Sequence, residues 1–243
     1  MAITKGRWPR AIFYDSKTTL FDWGWSWATA AENIVKKYGS TVDVAKFTAY
    51  WVRFFESHHR RTAFSQYTPV TETVKEALMD TFAVFRIDGK PDDVREYTDL
   101  QSKVGLFADT EEALQNQQDL GVKVWTYSDV EKQYLDMYVS KFRKFKPDFV
   151  GTTDLCGYHK PNPLTYQWVL EENGMKARDV LYCAAPGFDV QGAMSAGMIA
   201  AWLRRPKDGM LKNQAPSAKG IPADYEIETL HDVTKIIQLN RAA

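Results

Sequence analysis

The sequence has little cysteine, no excess of charge of either sign and no long apolar run. Only Cys156 and Cys183 occur in 243 residues. His159 follows Cys156 by three positions, but no further Cys or His completes a metal-ligand pattern, so we expect two reduced core thiols and no metal site. Basic and acidic residues number 31 each. This balance gives no electrostatic basis for binding nucleic acid.

Eighteen consecutive apolar residues occur nowhere, and no apolar run follows the basic residues of the N-terminus. We therefore expect neither a transmembrane helix nor a membrane partner. The composition, with 44% hydrophobic residues, is that of a globular protein with a sizeable core. A cytoplasmic enzyme acting on a small molecule is the prediction that follows.

A short apolar segment ends at a carboxylate near the N-terminus. Residues 11–14 have strand character, Asp15 follows them, and short hydroxyl residues come next. In open α/β sheets, ligands bind at the carboxyl ends of the strands. The pattern therefore predicts that Asp15 faces a ligand site.

The three tryptophans that follow, Trp23, Trp25 and Trp27, stand at the start of a predicted helix that ends near Gly39. Two interpretations are open. The tryptophans either pack between two layers of the fold, or they form an apolar wall that excludes water from the site of Asp15.

Residues 43–103 show helical spacing with turn signals at 68–69 and 88–91 and no strand signal. The predicted helices cover residues 44–60, 71–85 and 91–103. A crossover between strands needs only one helix, so this block indicates an inserted cap domain. His58 and His59 lie here beside Arg60 and Arg61. Adjacent helical residues point apart, and we expect a basic, partly solvated face rather than a two-histidine metal site.

Strands and helices alternate in the rest of the chain, which predicts a parallel sheet with helices on both faces. The predicted strands cover residues 122–127, 149–150, 180–184 and 198–203. The predicted helices between and after them cover residues 110–120, 130–142, 164–173, 190–196 and 230–239. Residues 206–222, rich in Gly, Pro, Lys and Ala, are predicted to form a surface loop.

Polar groups stand at several predicted strand ends or in the loops beyond them, namely Asp15 with Thr19, Ser128, Lys160 and Asp189. The carboxyl ends of neighbouring parallel strands share one edge, so these groups can converge on one site. A carboxylate, a lysine and a hydroxyl arranged in this way can perform covalent catalysis. Each residue alone also has an ordinary structural interpretation, and their order and spacing favour the functional one.

Four segments resemble the four motifs of the haloacid dehalogenase superfamily, and within it the L-2-haloacid dehalogenase branch. They are Asp15-Ser-Lys-Thr-Thr-Leu-Phe-Asp22, Thr126-Tyr-Ser-Asp129, His159-Lys-Pro-Asn-Pro-Leu-Thr-Tyr166 and Cys183-Ala-Ala-Pro-Gly-Phe-Asp-Val-Gln-Gly192-Ala193. The resemblance implies an α/β fold with a parallel-sheet, Rossmann-like core formed by residues 1–21 and 104–243. A helical cap, residues 22–103, would be inserted after the first strand.

The resemblance also implies a role for each matching residue. Asp15 would be the nucleophile, Thr19 and Ser128 would hydrogen-bond its carboxylate or that of the substrate, and Lys160 would neutralise its charge. Asp189 would orient or activate the hydrolytic water. The substrate-binding candidates are Ser16, Trp23, Arg53, Asp129 and Tyr166, of which Tyr166 would support the site.

Two departures argue against phosphate chemistry. Superfamily phosphatases resemble one another in a second Asp two residues after the nucleophile, which acts as the general acid, and Lys17 stands there. The fourth motif keeps Asp189 but lacks the additional acidic residues that help to hold Mg²⁺, a cation that prefers several oxygen ligands. No cofactor is therefore expected, and Mg²⁺ belongs only to the phosphatase alternative.

Other departures concern the dehalogenase branch itself. The arginine that accepts the halide in that branch has no counterpart in residues 22–27, and Arg53 is the nearest candidate. Asp129 stands where the branch has Asn, and Ala184 and Pro186 stand where it has Ser and Asn. The bond cleaved can thus be carbon to halogen or a related bond.

Three functional hypotheses follow. The first is a hydrolase whose Asp15 attacks C2 of a small 2-substituted carboxylic acid and yields a 2-hydroxy acid through an aspartyl ester. The leaving group is a halide by default, or the ring amine of a cyclic amino acid such as azetidine-2-carboxylate, with Asp129 orienting the ammonium. The alternatives are an Mg²⁺-dependent phosphatase or phosphonatase and a non-catalytic binding protein. A homodimer is possible, because the branch typically dimerises through its cap and aromatic residues are dense around Trp51.

Overall fold

The structure is a computed structural model, and it describes residues 8–205 and 222–242. The predicted loop at 206–222 therefore lies almost entirely outside the described residues. The strands are β1 (Ala11–Tyr14), β2 (Lys123–Ser128), β3 (Phe149–Thr152), β4 (Val180–Ala184), β5 (Ile199–Leu203) and β6 (Tyr225–Ile227). The helices are α1 (Trp23–Lys37), α2 (Val44–Thr62), α3 (Val70–Phe85), α4 (Arg95–Thr98), α5 (Thr110–Asp119), α6 (Lys132–Val139), α7 (Thr153–Cys156), α8 (Pro163–Glu172), α9 (Gly187–Ser195) and α10 (Leu230–Ala242).

The described strands form one parallel sheet in the order β3-β2-β1-β4-β5-β6. The strand at its centre, β1, has four fully buried residues, as expected for a parallel strand covered on both faces. The strand order reverses between β1 and β4, and ligands bind at such a switch point. The predicted α/β fold with a Rossmann-like core is confirmed.

Three clusters of buried apolar residues organise the molecule. Two lie on the opposite faces of the sheet, one around Ile12 and Tyr14 and the other around Phe13 and Tyr182. Alternate residues of β1 thus point into different layers, as the two-residue repeat of a strand requires. The third cluster joins helices α1 to α4 around Trp27 and Trp51. The helical block therefore has a core of its own, while its exact boundaries at 21/22 and 103/104 stay a prediction.

The aromatic residues of α2 fill this third cluster. Trp51 is fully buried, and its indole donates a hydrogen bond of 3.0 Å to the carbonyl of Val74. Phe55 is 5% exposed. These rings serve the core of the single chain, so their density does not by itself indicate a dimer.

The structure departs from the predictions in three short segments. The helix predicted for residues 91–103 is broken into two 3₁₀ turns, Pro91–Val94 and Gln101–Lys103, on either side of α4. The Asp93 carboxylate holds the first turn by accepting bonds from the Lys90 N–H (2.7 Å), Lys37 (2.6 Å) and Tyr38 (2.5 Å). The short elements β6 and α7 lacked a sequence signal long enough to predict them.

Among the described residues, no helix combines the length and apolarity needed to cross a membrane. Both cysteines are free, as predicted. Cys183 is buried in β4, whereas Cys156 is only half-buried.

The Asp93 contacts generate a stability prediction. We expect Asp93→Ala to lower the free energy of unfolding by about 2 kcal/mol, because three donors lose a buried acceptor. Asp88→Ala is the matched control, since Asp88 is 96% exposed and pairs only with Lys90; its effect should stay within about 0.5 kcal/mol. Urea denaturation of both variants measures the difference. Equal losses of unfolding free energy would contradict the role of Asp93 in holding the turn Pro91–Val94.

Candidate active site

Asp15 lies directly after β1, at the carboxyl edge of the sheet, and its side chain is 6% exposed. The chain then turns back tightly, with the Thr18 N–H bonded to the Phe21 carbonyl and the Leu20 N–H to the Ser16 carbonyl, both at 2.9 Å. Thr18 adopts a φ of 64°, an uncommon value for a β-branched residue that is often found at functional sites. This turn brings the Thr19 hydroxyl to 2.8 Å from Asp15 Oδ2.

Lys160 joins Asp15 to the neighbouring strands. Its ammonium, in the loop before α8, donates to Asp15 Oδ1 (3.0 Å), Asp189 Oδ2 (2.8 Å) and the Tyr127 carbonyl at the end of β2 (2.9 Å). Burial lowers the pKa of Lys160, but the two carboxylates outweigh burial and raise that pKa above its usual value. An ammonium has three N–H donors, so Lys160 is charged and fully engaged.

Asp189 lies in the first turn of α9, just beyond β4. The hydroxyl of Tyr166 donates to its Oδ1 at 2.7 Å, and that of Tyr182 lies 2.8 Å from both oxygens. Burial, followed by the negative charge of Asp15, raises the pKa of Asp189 to about 6. Tyr166 reaches this carboxylate because Gly192 lacks a side chain; a Cβ there would meet the Tyr166 hydroxyl oxygen well inside van der Waals contact.

A second buried carboxylate network lies beside the first. Asp129 Oδ2 is 2.9 Å from His59 Nε2, and Oδ1 is 3.2 Å from both His159 Nδ1 and the Lys160 N–H. His159 Nε2 also donates to the Thr68 carbonyl at 2.7 Å. Although burial raises the pKa of Asp129, the two imidazoles hold it well below its usual value.

The two histidines respond differently to this environment. Burial lowers the pKa of His59, whereas the hydrogen bond and charge of Asp129 outweigh burial and raise the pKa of His159. A charged His159 donates from both ring nitrogens, which matches its two acceptors. The expectation of a solvated face for this part of α2 is wrong for His59, which is 4% exposed. His58 is half-buried, and its Nε2 lies 2.7 Å from Asp80 Oδ2.

Sequence reasoning missed the partnership of His59, Asp129 and His159, whose ligand atoms all lie within 4.8 Å of one another. Such a set can in principle hold a transition metal. Every contact within it is equally explained by the ion pair of Asp129 with His159 and the hydrogen bond from His59. The sequence gives no sign of this cluster, because the three residues come from the cap, a strand end and a distant loop and meet only in the folded chain.

A cavity opens above Asp15 between the sheet and the cap. Its apolar wall comprises Trp23, Trp27, Val52, Phe55, Pro186 and Phe188. Asp22 Oδ1 accepts the Trp25 N–H at 3.2 Å and caps the start of α1. Trp23 and Trp27 are four residues apart on this helix and therefore lie on the same face. These two tryptophans pack in the cap core and also line the cavity, so both interpretations hold for them, whereas Trp25 is 39% exposed.

Lys17 also lines the cavity, beside Asp15 and Asp129. Its ammonium lies 4.2 Å from the centre of the Trp23 ring, and its side chain is buried. Burial lowers the pKa of Lys17 to about 8, and the charges of Asp129 and Asp15 partly offset that effect.

The predicted site residues divide into two groups. The structure brings to the cavity or to its carboxylates Asp15, Thr19, Trp23, Asp129, Lys160, Tyr166 and Asp189. Tyr166 touches Asp189 and does not itself line the cavity. The remaining three, Ser16, Arg53 and Ser128, are placed otherwise.

Arg53 does not contribute to the cavity. Val52, Phe55 and His59 line it, as residues three and four apart on one helix face do, and Arg53 points away from that face and is exposed. The Ser16 hydroxyl bonds Thr126 Oγ1 at 2.5 Å instead of facing the cavity. The Ser128 hydroxyl is buried without a hydrogen-bond partner among the described residues, so it does not touch Asp15.

Solved structures with the same fold share little sequence with this chain. An L-2-haloacid dehalogenase superimposes with a TM-score of 0.81 at 19% identity, covering 95% of this chain and 99% of the other. The Xanthobacter autotrophicus L-2-haloacid dehalogenase with covalently bound chloropropionic acid gives 0.76 at 19%, covering 94% and 98%. A magnesium-bound HAD-type hydrolase of Bacillus subtilis gives 0.79 at 15%, covering 95% and 99%. No curated protein sequence matches the chain.

A parallel six-stranded sheet, an inserted helical block and a buried carboxylate-lysine site define a hydrolase with a Rossmann-like core. The sequence model of the haloacid dehalogenase-like hydrolases matches residues 19–203, more than half of the chain. The protein belongs to this family, and the predicted resemblance to the haloacid dehalogenase superfamily is confirmed.

The close contact at Gly192 allows a test of the Asp189 network. We expect Gly192→Ala to displace Tyr166 and to lower the free energy of unfolding by about 1–3 kcal/mol, because the added methyl overpacks a buried contact. Gly105→Ala is the control, since a Cβ there meets nothing within 4 Å. Replacing Tyr166 by Leu removes the hydroxyl and both ring carbons that the added Cβ would meet. In thermal denaturation, Gly192→Ala should therefore cost less stability in the Tyr166→Leu background than in the wild type. An equal cost in both backgrounds would show that Tyr166 is not the residue displaced.

Proposed function

We propose that this protein hydrolyses a small 2-substituted carboxylic acid, with Asp15 attacking C2 and displacing the leaving group in line. The observation that carries the proposal is the position of the Asp15 carboxylate, which Thr19 and Lys160 hold at the floor of a mostly apolar cavity. A carboxylate held by hydrogen bonds at the floor of an apolar cavity is a competent nucleophile towards an sp³ carbon.

The first step forms a bond between one Asp15 oxygen and C2, and the leaving group departs with the electron pair of its bond. The configuration at C2 inverts. Hydrogen bonds from Lys160 and Thr19 hold the attacking carboxylate in place. The product of this step is an aspartyl ester.

Water then attacks the side-chain carbonyl carbon of Asp15. Asp189 accepts one proton from that water, and the bond between the side-chain carbonyl carbon and the oxygen attached to C2 breaks. That oxygen takes the second proton of the water and leaves as the hydroxyl of the 2-hydroxy acid, and Asp189 releases its proton to solvent. The Lys160 ammonium touches Asp15 Oδ1, so it can stabilise the oxyanion that develops on that oxygen in this step. Asp15 regains its carboxylate, and atoms and charge balance over the cycle.

The environment of Asp189 supports this chemistry over magnesium-dependent phosphoryl transfer. Three donors, Tyr166, Tyr182 and Lys160, share the two oxygens of Asp189 and leave one lone pair, which is the one that the hydrolytic water would use. Mg²⁺ prefers several oxygen ligands and would have to take that lone pair beside the Lys160 ammonium. This donor set fits the cation poorly, and no step is routed through it. The presence of Lys17 where phosphatases have a general-acid Asp also argues against phosphoryl transfer.

The leaving group is a halide by default, and a ring amine is the second candidate. Departure of an amine requires a proton on its nitrogen. His59 and Asp129, which are hydrogen-bonded to each other, line the cavity and are the candidates to orient such a group. Both oxygens of Asp129 already accept hydrogen bonds, so an ammonium would have to share them. Both candidate substrates combine a carboxylate with an electrophilic C2.

A substrate panel tests the proposal. We expect 2-hydroxy acid from an L- or D-2-haloacid or from azetidine-2-carboxylate, at a rate unchanged by EDTA. The readout is chromatography of the products, with phosphate esters, with and without Mg²⁺, as the control set. Magnesium-dependent phosphate release would replace the proposal with a phosphatase, and thermal stabilisation by the acids without turnover would replace it with a binding protein.

The nucleophile is tested separately. Asp15→Asn should reduce turnover by about 10³-fold or more, because the attacking carboxylate is lost. Asp136→Asn, an exposed substitution of the same kind, should not. In a single turnover of the wild-type protein in ¹⁸O-labelled water, mass spectrometry should find the label in Asp15. Label found only in the product would mean that water attacks the substrate directly.

A further inference from the structure

Two lysines line the cavity, and they differ in what their ammonium groups contact. Lys160 donates all three of its N–H bonds, to Asp15, Asp189 and Tyr127. Lys17 Nζ has no hydrogen-bond acceptor and no ion-pair partner within the part of the chain that the structure describes. Its near neighbours are the faces of Trp23, at 4.2 Å, and Phe55, at 5.8 Å.

Lys17 is not free to place its ammonium in solvent. The residue is 7% exposed, in a tight turn fixed by the Thr18 to Phe21 backbone bond. Removing a charge from water is unfavourable unless a partner compensates for it, and an aromatic face compensates only in part. The lowered pKa of Lys17 reports the same imbalance. The Lys17 ammonium, which lies at the cavity wall on a buried side chain and has unused donors, is therefore suited to an anion that enters the cavity.

The other basic groups at the cavity are committed, exposed or neutral. His59 lines the cavity with an unpartnered Nδ1, but burial lowers its pKa and its Nε2 binds Asp129, so Nδ1 is an acceptor in the neutral ring. Arg60 pairs with Glu56 at 3.2 Å and is 55% exposed. His159, the neighbour of Lys160, uses one ring nitrogen for Asp129 and the other for Thr68. A second carboxylate entering beside the negative charge of Asp15 needs a cation with donors to spare, and Lys17 provides it.

We propose that Lys17 binds the carboxylate group of the substrate. The inference rests on the proposed function and names the residue that recognises its substrate class. A carboxylate is common to every acid of that class, whereas the leaving group is an anion only for some of them. The carboxyl carbon is bonded directly to C2, so its binding residue must lie close to the nucleophile, and Lys17 follows Asp15 by two residues in the same turn.

If Lys17 binds the carboxylate, the free acid is the substrate, and the corresponding ester or amide, which lacks that negative charge, is a poor substrate. It also gives Lys17 a role that differs from that of Lys160: Lys160 holds the protein's own carboxylates, and Lys17 holds the incoming one. Lys17 is thus a binding residue whose loss should raise KM more than it lowers kcat.

The test compares Lys17→Met, which keeps an unbranched side chain over Trp23 but removes the charge, with Lys36→Met, an exposed lysine of α1. Binding of unreactive carboxylates, propionate and both enantiomers of lactate, is measured by calorimetry on the full chain. We expect Lys17→Met to weaken binding by about 10- to 100-fold, the usual worth of a charge-assisted hydrogen bond. Lys36→Met should bind as the wild type does.

Thermal denaturation separates binding from structure. Removing an uncompensated buried charge should leave the melting temperature of Lys17→Met unchanged or raised. A structural lysine would give a lower melting temperature with unchanged affinity, which overturns the inference. Lys17→Gln is the second variant should Lys17→Met not fold.

A pH series adds an independent readout. Lys17 faces Asp15 in its own turn, His59 on α2, Asp129 and Glu131 after β2, and His159 and Lys160 in the loop before α8. Its charge, present below pH 8 and lost above, should make carboxylate affinity of the wild type fall as the pH rises through about 8. Lys17→Met should lack this fall, and a fall retained in Lys17→Met would assign the titration to another group and overturn the inference.

The last set of binding measurements uses sodium bromide and sodium iodide. Binding of halides but not of carboxylates would overturn the assignment of the carboxylate to Lys17. Because all of these ligands are unreactive, a Lys17-dependent affinity without turnover of any acid would contradict only the proposed hydrolysis. Turnover together with normal binding by Lys17→Met would contradict only this inference.

Discussion

Two buried carboxylates, Asp15 and Asp189, face one another across the switch point of the sheet, and the Lys160 ammonium between them makes that arrangement tolerable. Like charges out of water repel strongly, and a shared cation with three good hydrogen bonds is the compensation available. The same ammonium binds the carbonyl at the end of β2, so strands β1, β2 and β4 meet at a single charged group. The geometry of the site therefore depends on where the loop before α8 is held.

That loop is held from both sides. His159 binds Asp129 and the Thr68 carbonyl, and Asn162 Nδ2 donates to the Ala63 carbonyl at 2.8 Å while its Oδ1 caps α8. The cap thus contributes backbone acceptors that orient the residues on either side of Lys160. Asp15, Lys160 and the helical cap are thus linked by one continuous set of hydrogen bonds.

The sequence predicted what depends on local order. Asp15, Lys160 and Asp189 follow strands or precede helices whose apolar patterns are clear, and parallel strands must end at one edge. It did not predict which face of α2 turns inward, because the helical spacing is satisfied by several rotations of the helix; Arg53 was therefore favoured and His59 overlooked. From the sequence, Lys17 shows only that the general-acid Asp of the phosphatases is absent, because nothing local indicates that this lysine is buried over a tryptophan.

The two halves of the cavity belong to different parts of the chain. The groups around Asp15 are carried by the sheet and its loops, whereas Val52 and Phe55 come from α2 and make no hydrogen bond to any of them through their side chains. The shape of the pocket can therefore be changed at Val52 and Phe55 without removing a hydrogen bond from the Asp15 carboxylate. For protein engineering, this makes these two positions the ones to vary when a different ligand is to be accommodated, whereas His59 on the same helix and the turn after β1 should be left unchanged.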